Sequence, residues 1–87
     1  MNETIDWWDN IKKMTKEELV SQIFSLGAKI IIIRADASDS YAEVDYKGWT
    51  IKASGITLVD AYKHALDAIY WIKEDFADSP PNVIVSI

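Results

Sequence analysis

The single histidine of the chain lies between two carboxylates at helical spacing. Asp60 precedes His64 by four residues and Asp67 follows it by three, so a helix would bring the three side chains to one face. Such a trio could orient an imidazole for proton transfer or hold a divalent cation weakly. On a helical wheel this face is opposite the apolar stripe of the same segment. We therefore interpret the trio as a solvent-facing helix surface, with neither a catalytic residue nor a metal site.

Other residue types that carry chemistry are poorly placed for it. Four carboxylates surround one loop, but the Gly and the terminal Glu that an EF-hand needs are missing. The serines of that loop have no base beside them, and no Gly-rich loop precedes a helix. The chain has no cysteine, which removes thiol nucleophiles and cysteine-based zinc sites. We predict a non-enzymatic protein without cofactor or metal. The four carboxylates are Asp36, Asp39, Glu43 and Asp45.

A large aromatic residue, Trp71, shares the outward face of the helix with the His64 trio. Three interpretations are open: the N-terminal helices cover it, a second subunit meets it, or it anchors a partner, since Trp is enriched in binding hot spots. Trp7 and Trp8 are adjacent, and we expect that two adjacent helical residues cannot both face the same core. The residues predicted to bind a partner are Trp71, Asp60, His64, Asp67, Asp75, Trp8 and Tyr70.

A hairpin that runs into a long helix positions these residues. Lys47-Gly48 fits a two-residue turn, and the register that follows makes one face of the ribbon apolar and the other polar. The predicted apolar pairs are Tyr46 with Trp49, Val44 with Ile51 and Ala42 with Ala53. The predicted polar pairs are Asp45 with Thr50, Glu43 with Lys52 and Tyr41 with Ser54.

Two capping boxes mark the starts of helices. Thr57 with Asp60 predicts the long helix, and Thr15 with Glu18 predicts a helix from residue 16 to about 26, ended by Gly27. Residues 4–13 read as a further short helix. The long helix should cover the hairpin with the stripe Leu58, Tyr62, Ala65, Ile69, Ile72 and Phe76. The apolar side of the preceding helix is predicted to be Leu19, Val20, Ile23, Phe24 and Leu26.

Four consecutive isoleucines, residues 30–33, predict a central strand covered on both faces, because an apolar run without alternation is typical of buried strands. Pro80-Pro81 breaks the long helix, and residues 83–87 read as a last strand. We predict an α+β fold: one or two N-terminal helices, a three-stranded antiparallel meander, a long helix, and a C-terminal edge strand parallel to the first, in a two-layer or three-layer sandwich. Residues 1–87 form one domain, with 1–27 as the helical segment and 28–87 as a βββαβ core.

The formal charge of −5 argues against direct binding to nucleic-acid phosphates or to an anionic membrane. It suits a basic protein surface as partner. No segment resembles a secretion signal or a membrane span, so we expect a cytoplasmic location, in the host cytoplasm if a phage encodes the chain.

The segment Gly55-Ile56-Thr57-Leu58-Val59-Asp60-Ala61, with the alanines and isoleucines downstream and a proline-rich exit before a short strand, resembles the HicB-type antitoxin domain over residues 41–87. The resemblance implies a partial ribonuclease-H-like sheet of the same strand order. It also implies a non-enzymatic protein that binds and silences a toxin.

Together these observations predict a small acidic inhibitor of phage or mobile-element origin. It would bind and block a nucleic-acid-handling protein, such as a nuclease toxin or a CRISPR effector, with helix carboxylates placed as a DNA mimic places its charge. The alternative is a structural or assembly module that acts through homo-oligomerisation, with a homodimer formed by the sheet edge and the isoleucine-rich strand.

Overall fold

The computed structural model describes residues 4–86, and the α+β fold predicted from the sequence is confirmed. Within these residues there are three helices and four strands, and the strands form one mixed sheet with the order β1-β2-β3-β4. In chain order they are α1 (Thr4–Ile11), α2 (Lys16–Ser25), β1 (Lys29–Ala35), β2 (Ser40–Tyr46), β3 (Trp49–Gly55), α3 (Leu58–Asp75) and β4 (Val83–Ser86). No helix within residues 4–86 has the length and apolar character needed to cross a membrane.

The β2–β3 hairpin has the register that the sequence predicts, for all six pairs. Its turn is Lys47-Gly48, and both residues have a positive φ, 50° and 87°. This is the backbone of a type I′ turn, whose twist matches that of the flanking strands. Ala42, Val44 and Ile51 are consequently fully buried on the face that α3 covers.

The isoleucine-rich strand is not central, and this prediction is wrong. Of the four described strands, β1 pairs with β2 alone and forms an edge of the sheet, with a register shift between Ile30 and Ile32. Ile31, Ile32 and Ile33 are 54%, 42% and 52% exposed. The meander continues from β2 to β3 on the other side, and β4 then adds to β3 in parallel, so no strand within residues 4–86 pairs with the outer edge of β1. β4 forms the opposite edge and runs in the same direction as β1.

Both capping boxes are present. Thr57 accepts from the backbone N–H of Asp60 and caps α3, and Thr15 with Glu18 does the same for α2. The predicted stripe of α3 covers β2 and β3: Tyr62, Ala65, Ile69 and Ile72 are buried, and Leu58 and Phe76 are partly buried.

The helices α1 and α2 make their main contacts with α3, on the side away from the sheet. Ile11, Leu19 and Ile23 are fully buried and belong to the same core as the sheet residues. Phe24, predicted on the apolar side of α2, is 53% exposed because it lies beyond the surface that α3 covers. The chain therefore forms three layers: the sheet, α3 and the N-terminal helices. The sheet face away from α3 is open.

Candidate protein-interaction surface

The predicted His64 trio lies partly beneath α1. Nδ1 of His64 is 2.8 Å from the backbone oxygen of Ser54, and because a carbonyl oxygen can only accept, this nitrogen carries a proton. The ring of Trp8 stacks on the imidazole with their centroids 6.1 Å apart and the planes at 3°. His64 is therefore held between a strand end and an aromatic ring. This is a half-buried, structural environment.

Asp67 and Tyr70 also contact the N-terminal helices. The indole N–H of Trp7 donates to Asp67 at 2.7 Å, and its ring stacks on Tyr70 with the centroids 5.7 Å apart. Gln22 of α2 donates to the hydroxyl of Tyr70 at 2.7 Å. The expectation that adjacent tryptophans cannot face one core is thus wrong. Trp7 and Trp8 both pack on α3 because each ring meets a different turn of that helix.

The Trp7–Asp67 hydrogen bond should contribute measurably to stability. Trp7→Phe keeps an aromatic ring against Tyr70 but removes the N–H donor, and we expect it to lower the free energy of unfolding by about 1 kcal/mol. Urea unfolding of Trp7→Phe, of Asp67→Ala and of the double variant would separate this hydrogen bond from the change in ring size. If Trp7→Phe costs as much in the Asp67→Ala background as in the wild type, the hydrogen bond contributes nothing.

Asp60, a further predicted binding residue, serves the start of α3. Its carboxylate accepts from the backbone N–H of Thr57 at 3.4 Å, which completes the capping box. Five of the seven residues predicted to bind a partner therefore take part in hydrogen bonds or face-to-face ring stacking within the chain: Asp60, His64, Asp67, Tyr70 and Trp8.

Trp71 and Asp75 are exposed, as an anchor for a partner requires. Trp71 is 46% exposed, so the N-terminal helices do not cover it, and the interpretations that remain are a second subunit or a partner. Its ring meets the edge of Phe76, with centroids 5.0 Å apart at 78°. Glu74 and Asp78 are exposed close by in the chain. Glu74 and Asp75 follow Trp71 by three and four residues, which places their carboxylates beside the indole on α3.

A small aromatic-lined pocket adjoins Trp71 through Phe76, and the sequence did not predict it. It has a volume of about 170 Å³, and its apolar lining comes from the hairpin turn, the end of α3 and the proline segment. The aromatic lining residues are Tyr46, Trp49 and Phe76. The rest of the wall is formed by Lys47, Ile72, Lys73, Ala77, Ser79 and Pro81, so two lysines lie at this pocket. The pairing of Tyr46 with Trp49 was visible in the hairpin register. The approach of Pro81 to Gly48 was not, because it depends on where β4 joins the sheet.

We call Trp71, Glu74, Asp75, Asp78 and the adjoining pocket the Trp71 surface. Among the side chains that the structure describes, one ion pair is present, between Lys12 and Asp9 at 3.3 Å. The carboxylates of the Trp71 surface lie outside it, so their charge is directed to solvent. An exposed indole beside the carboxylates of Glu74 and Asp75 can present an apolar contact within a field of negative potential.

The open face of the sheet carries a second group of polar residues, in a depression of about 510 Å³. The Tyr41 hydroxyl donates to Glu43 at 2.7 Å, and this hydrogen bond, with burial and the Glu43 charge, raises the pKa of Tyr41 above its ordinary value. The Arg34 guanidinium, 5.9 Å from the centre of the Tyr41 ring, opposes the effect. The Tyr41 hydroxyl thus stays a neutral hydrogen-bond donor. Within the part of the chain that the structure describes, no three His, Asp or Glu side chains converge on a point where a metal ion could bind.

No protein-family model, no curated protein and no solved structure matches the chain. The similarity to HicB-type antitoxins therefore remains a prediction from the sequence, and the geometry of the Trp71 surface carries the functional argument.

Proposed function

We propose that this chain is a small acidic, non-enzymatic inhibitor that binds and blocks a nucleic-acid-handling protein. The observation that carries the proposal is the exposed Trp71 beside Glu74 and Asp75, next to an aromatic-lined pocket. A tryptophan at the centre of an interface can supply much of the binding energy, and a pocket beside it accepts an apolar side chain of the partner.

The charge of the chain indicates the partner's chemistry. A formal charge of −5 speeds encounter with a basic surface and disfavours direct contact with nucleic acid. Basic surfaces that bind phosphates belong to nucleases, CRISPR effectors and related defence proteins. The carboxylates of the Trp71 surface would occupy the positions of phosphates and so exclude the nucleic acid. Origin in a phage or mobile element and action in the host cytoplasm are parts of the same proposal.

The similarity to HicB-type antitoxins supports this direction, because that family silences a toxin by binding it. Its motif corresponds here to Gly55, Thr57 and the first turn of α3, which shape the strand-to-helix turn. The motif lies at the opposite end of α3 from Trp71. We therefore propose that the motif serves the fold of the core, and that the Trp71 surface makes the contact with the partner.

The proposal is tested by capture followed by a functional measurement. Tagged chain is incubated with an extract of its source organism, and the captured protein is purified and assayed for binding or cleavage of nucleic acid. We expect added chain to abolish that activity, and we expect Trp71→Ala to weaken binding at least about tenfold. Phe24→Ala is the matched control, since Phe24 is an aromatic residue of similar exposure on α2. Equal binding by the two variants, or captured proteins whose nucleic-acid activity does not change, would refute the proposal.

The alternative function, a structural or assembly module that acts through homo-oligomerisation, is favoured by the exposed isoleucines of β1. Light scattering after size exclusion distinguishes the two. An assembly module would form a stable dimer or a larger oligomer that persists on dilution, and it would give the same oligomer after Trp71→Ala.

A further inference from the structure

The outer edge of β1 combines free backbone groups with exposed apolar side chains. Among the strands that the structure describes, β1 has β2 on one side and none on the other, and its three exposed isoleucines are consecutive. Soluble proteins usually protect such an edge with charges, prolines or a covering segment, because it is a template for pairing with another strand. Within residues 29–35 the charged residues are Lys29 and Arg34, near the two ends.

The hydrogen bonds to β2 determine which backbone groups point outward. The N–H of Asp36 donates to the carbonyl oxygen of Asp39 at 3.0 Å, directly beyond the pair Ala35 with Ser40. In an antiparallel ladder, hydrogen-bonded and non-hydrogen-bonded pairs alternate. Arg34 therefore bonds inward to Tyr41, whereas the N–H and C=O groups of Ile33 and Ala35 point to the free edge.

We infer that β1 pairs in an antiparallel manner with β1 of a second copy, about a two-fold axis at Ile33. This register gives Ile33 two backbone hydrogen bonds to its own counterpart, with a Cα separation of about 5.5 Å. It places Ile31 opposite Ala35 of the second copy. A second register also lets the outward-pointing backbone N–H and C=O groups form hydrogen bonds, and its two-fold axis lies at Arg34. That register would put two guanidinium groups opposite each other, which is unfavourable.

The charges at the ends of β1 complement each other in this arrangement. Antiparallel pairing brings the start of one strand to the end of the other. Lys29 then lies beside the loop of the second copy that holds Asp36 and Asp39, and the same contact occurs twice because of the two-fold axis. Elsewhere two copies of a chain with a charge of −5 repel each other. Because the charges at the two ends of β1 complement each other, we expect a second copy of the chain to be the partner that pairs with the edge of β1.

The dimer should be reversible. The register shift between Ile30 and Ile32 bends the strand, so regular pairing with the second copy is limited to residues 31–35. An interface of that length is smaller than the roughly 800 Å² per partner of a standard stable complex. The inference is independent of the proposed inhibitor function, and the Trp71→Ala variant is expected to dimerise as the wild type does.

Single cysteines test the register, because the chain has no cysteine of its own. Ile33→Cys places two thiols across the axis at about 5.5 Å between Cα atoms, within disulfide range. Ile31→Cys is the matched control: it is equally exposed, but the two thiols would lie roughly 13 Å apart along the strands. We expect mild oxidation to link Ile33→Cys and to leave Ile31→Cys and Val85→Cys, on the opposite edge, largely monomeric. Equal linking of all three, or none of Ile33→Cys, would overturn the inference.

Sedimentation equilibrium measures the same dimer without an introduced cysteine or a cross-link. We expect the average mass of the wild type to rise with concentration, and Ile33→Lys to weaken association at least about tenfold by placing two ammonium groups across the axis. Val85→Lys should leave association unchanged. A wild type that stays monomeric up to millimolar concentration, or Val85→Lys weakened as much as Ile33→Lys, would refute pairing through β1.

Discussion

Replacing Leu66 with alanine is expected to lower the free energy of unfolding by about 2–5 kcal/mol, the range for a large-to-small change in a packed core. Leu66 is 0% exposed, although it lies outside the α3 stripe that covers the sheet. It precedes Tyr70 by four residues, so the two side chains are neighbours on the helix. Tyr70 contacts Trp7 of α1 and Gln22 of α2. The N-terminal helices must therefore cover Leu66.

This loss would be a large part of the total stability. A domain of this length has a stability of roughly 4–13 kcal/mol, from about 0.05–0.15 kcal/mol per residue. Urea unfolding followed by circular dichroism measures the change, and Val85→Ala, at an exposed edge position, is the control that should shift it by less than about 0.5 kcal/mol. A loss below about 1 kcal/mol for Leu66→Ala would mean that α1 and α2 do not pack on α3 as described.

The hairpin and the helix starts could be predicted from the sequence because local rules govern them. A two-residue turn fixes the whole register once Lys47-Gly48 is recognised, and the alternation of polar and apolar residues agrees with it. A capping box involves four consecutive residues, and both occur where the pattern places them. Neither depends on distant parts of the chain.

The position of β1 could not be predicted from the same information. Four isoleucines in a row indicate a strand but not its neighbours, and strand order is decided by where β3 and β4 pair. The run of isoleucines suggested a strand buried on both faces, but the strand order leaves three of the four isoleucines exposed. If the second copy forms the pairing inferred above, the apolar run is explained by an interface rather than by the interior of one chain.

The candidate site was predicted in part. A helical wheel places Trp71 and Asp75 away from the sheet, and both are exposed. The same wheel groups them with His64 and Asp67, which α1 covers, because a wheel does not show what packs on the outer face of a helix. Tertiary contacts therefore divide one helical face into a covered part and an exposed part.

Replacing Gly55 with alanine is expected to destabilise the fold by about 1–3 kcal/mol or more, because the added methyl group has no space. A Cβ at Gly55 would lie 2.5 Å from Cβ of Asp60 and 3.0 Å from the backbone nitrogen of Ala61. Both belong to the first turn of α3, and neither is the end of a flexible side chain. The helix start would have to move away from the end of β3.

That movement would also disturb the cap of α3. Thr57 accepts from the N–H of Asp60 at 3.2 Å, and the Asp60 carboxylate accepts from the N–H of Thr57 at 3.4 Å. A shift of the first turn lengthens at least one of these hydrogen bonds, and loss of an N-cap contact costs about 1 kcal/mol. We therefore expect Gly55→Ala to combine steric strain with a weakened helix start, and its amide chemical shifts should change around residues 55–61.

Gly27→Ala provides the control for a glycine with a different role. Gly27 has a φ of +89°, and no atom lies within 4 Å of the position of its Cβ, so alanine there meets backbone strain of about 1–2 kcal/mol but no clash. We expect Gly55→Ala to lower the urea midpoint more than Gly27→Ala does. The opposite order would mean that the turn between β3 and α3 can relax. In that case close packing would not explain why residue 55 of the Gly-x-Thr motif is a glycine. The explanation would then have to be functional and not structural.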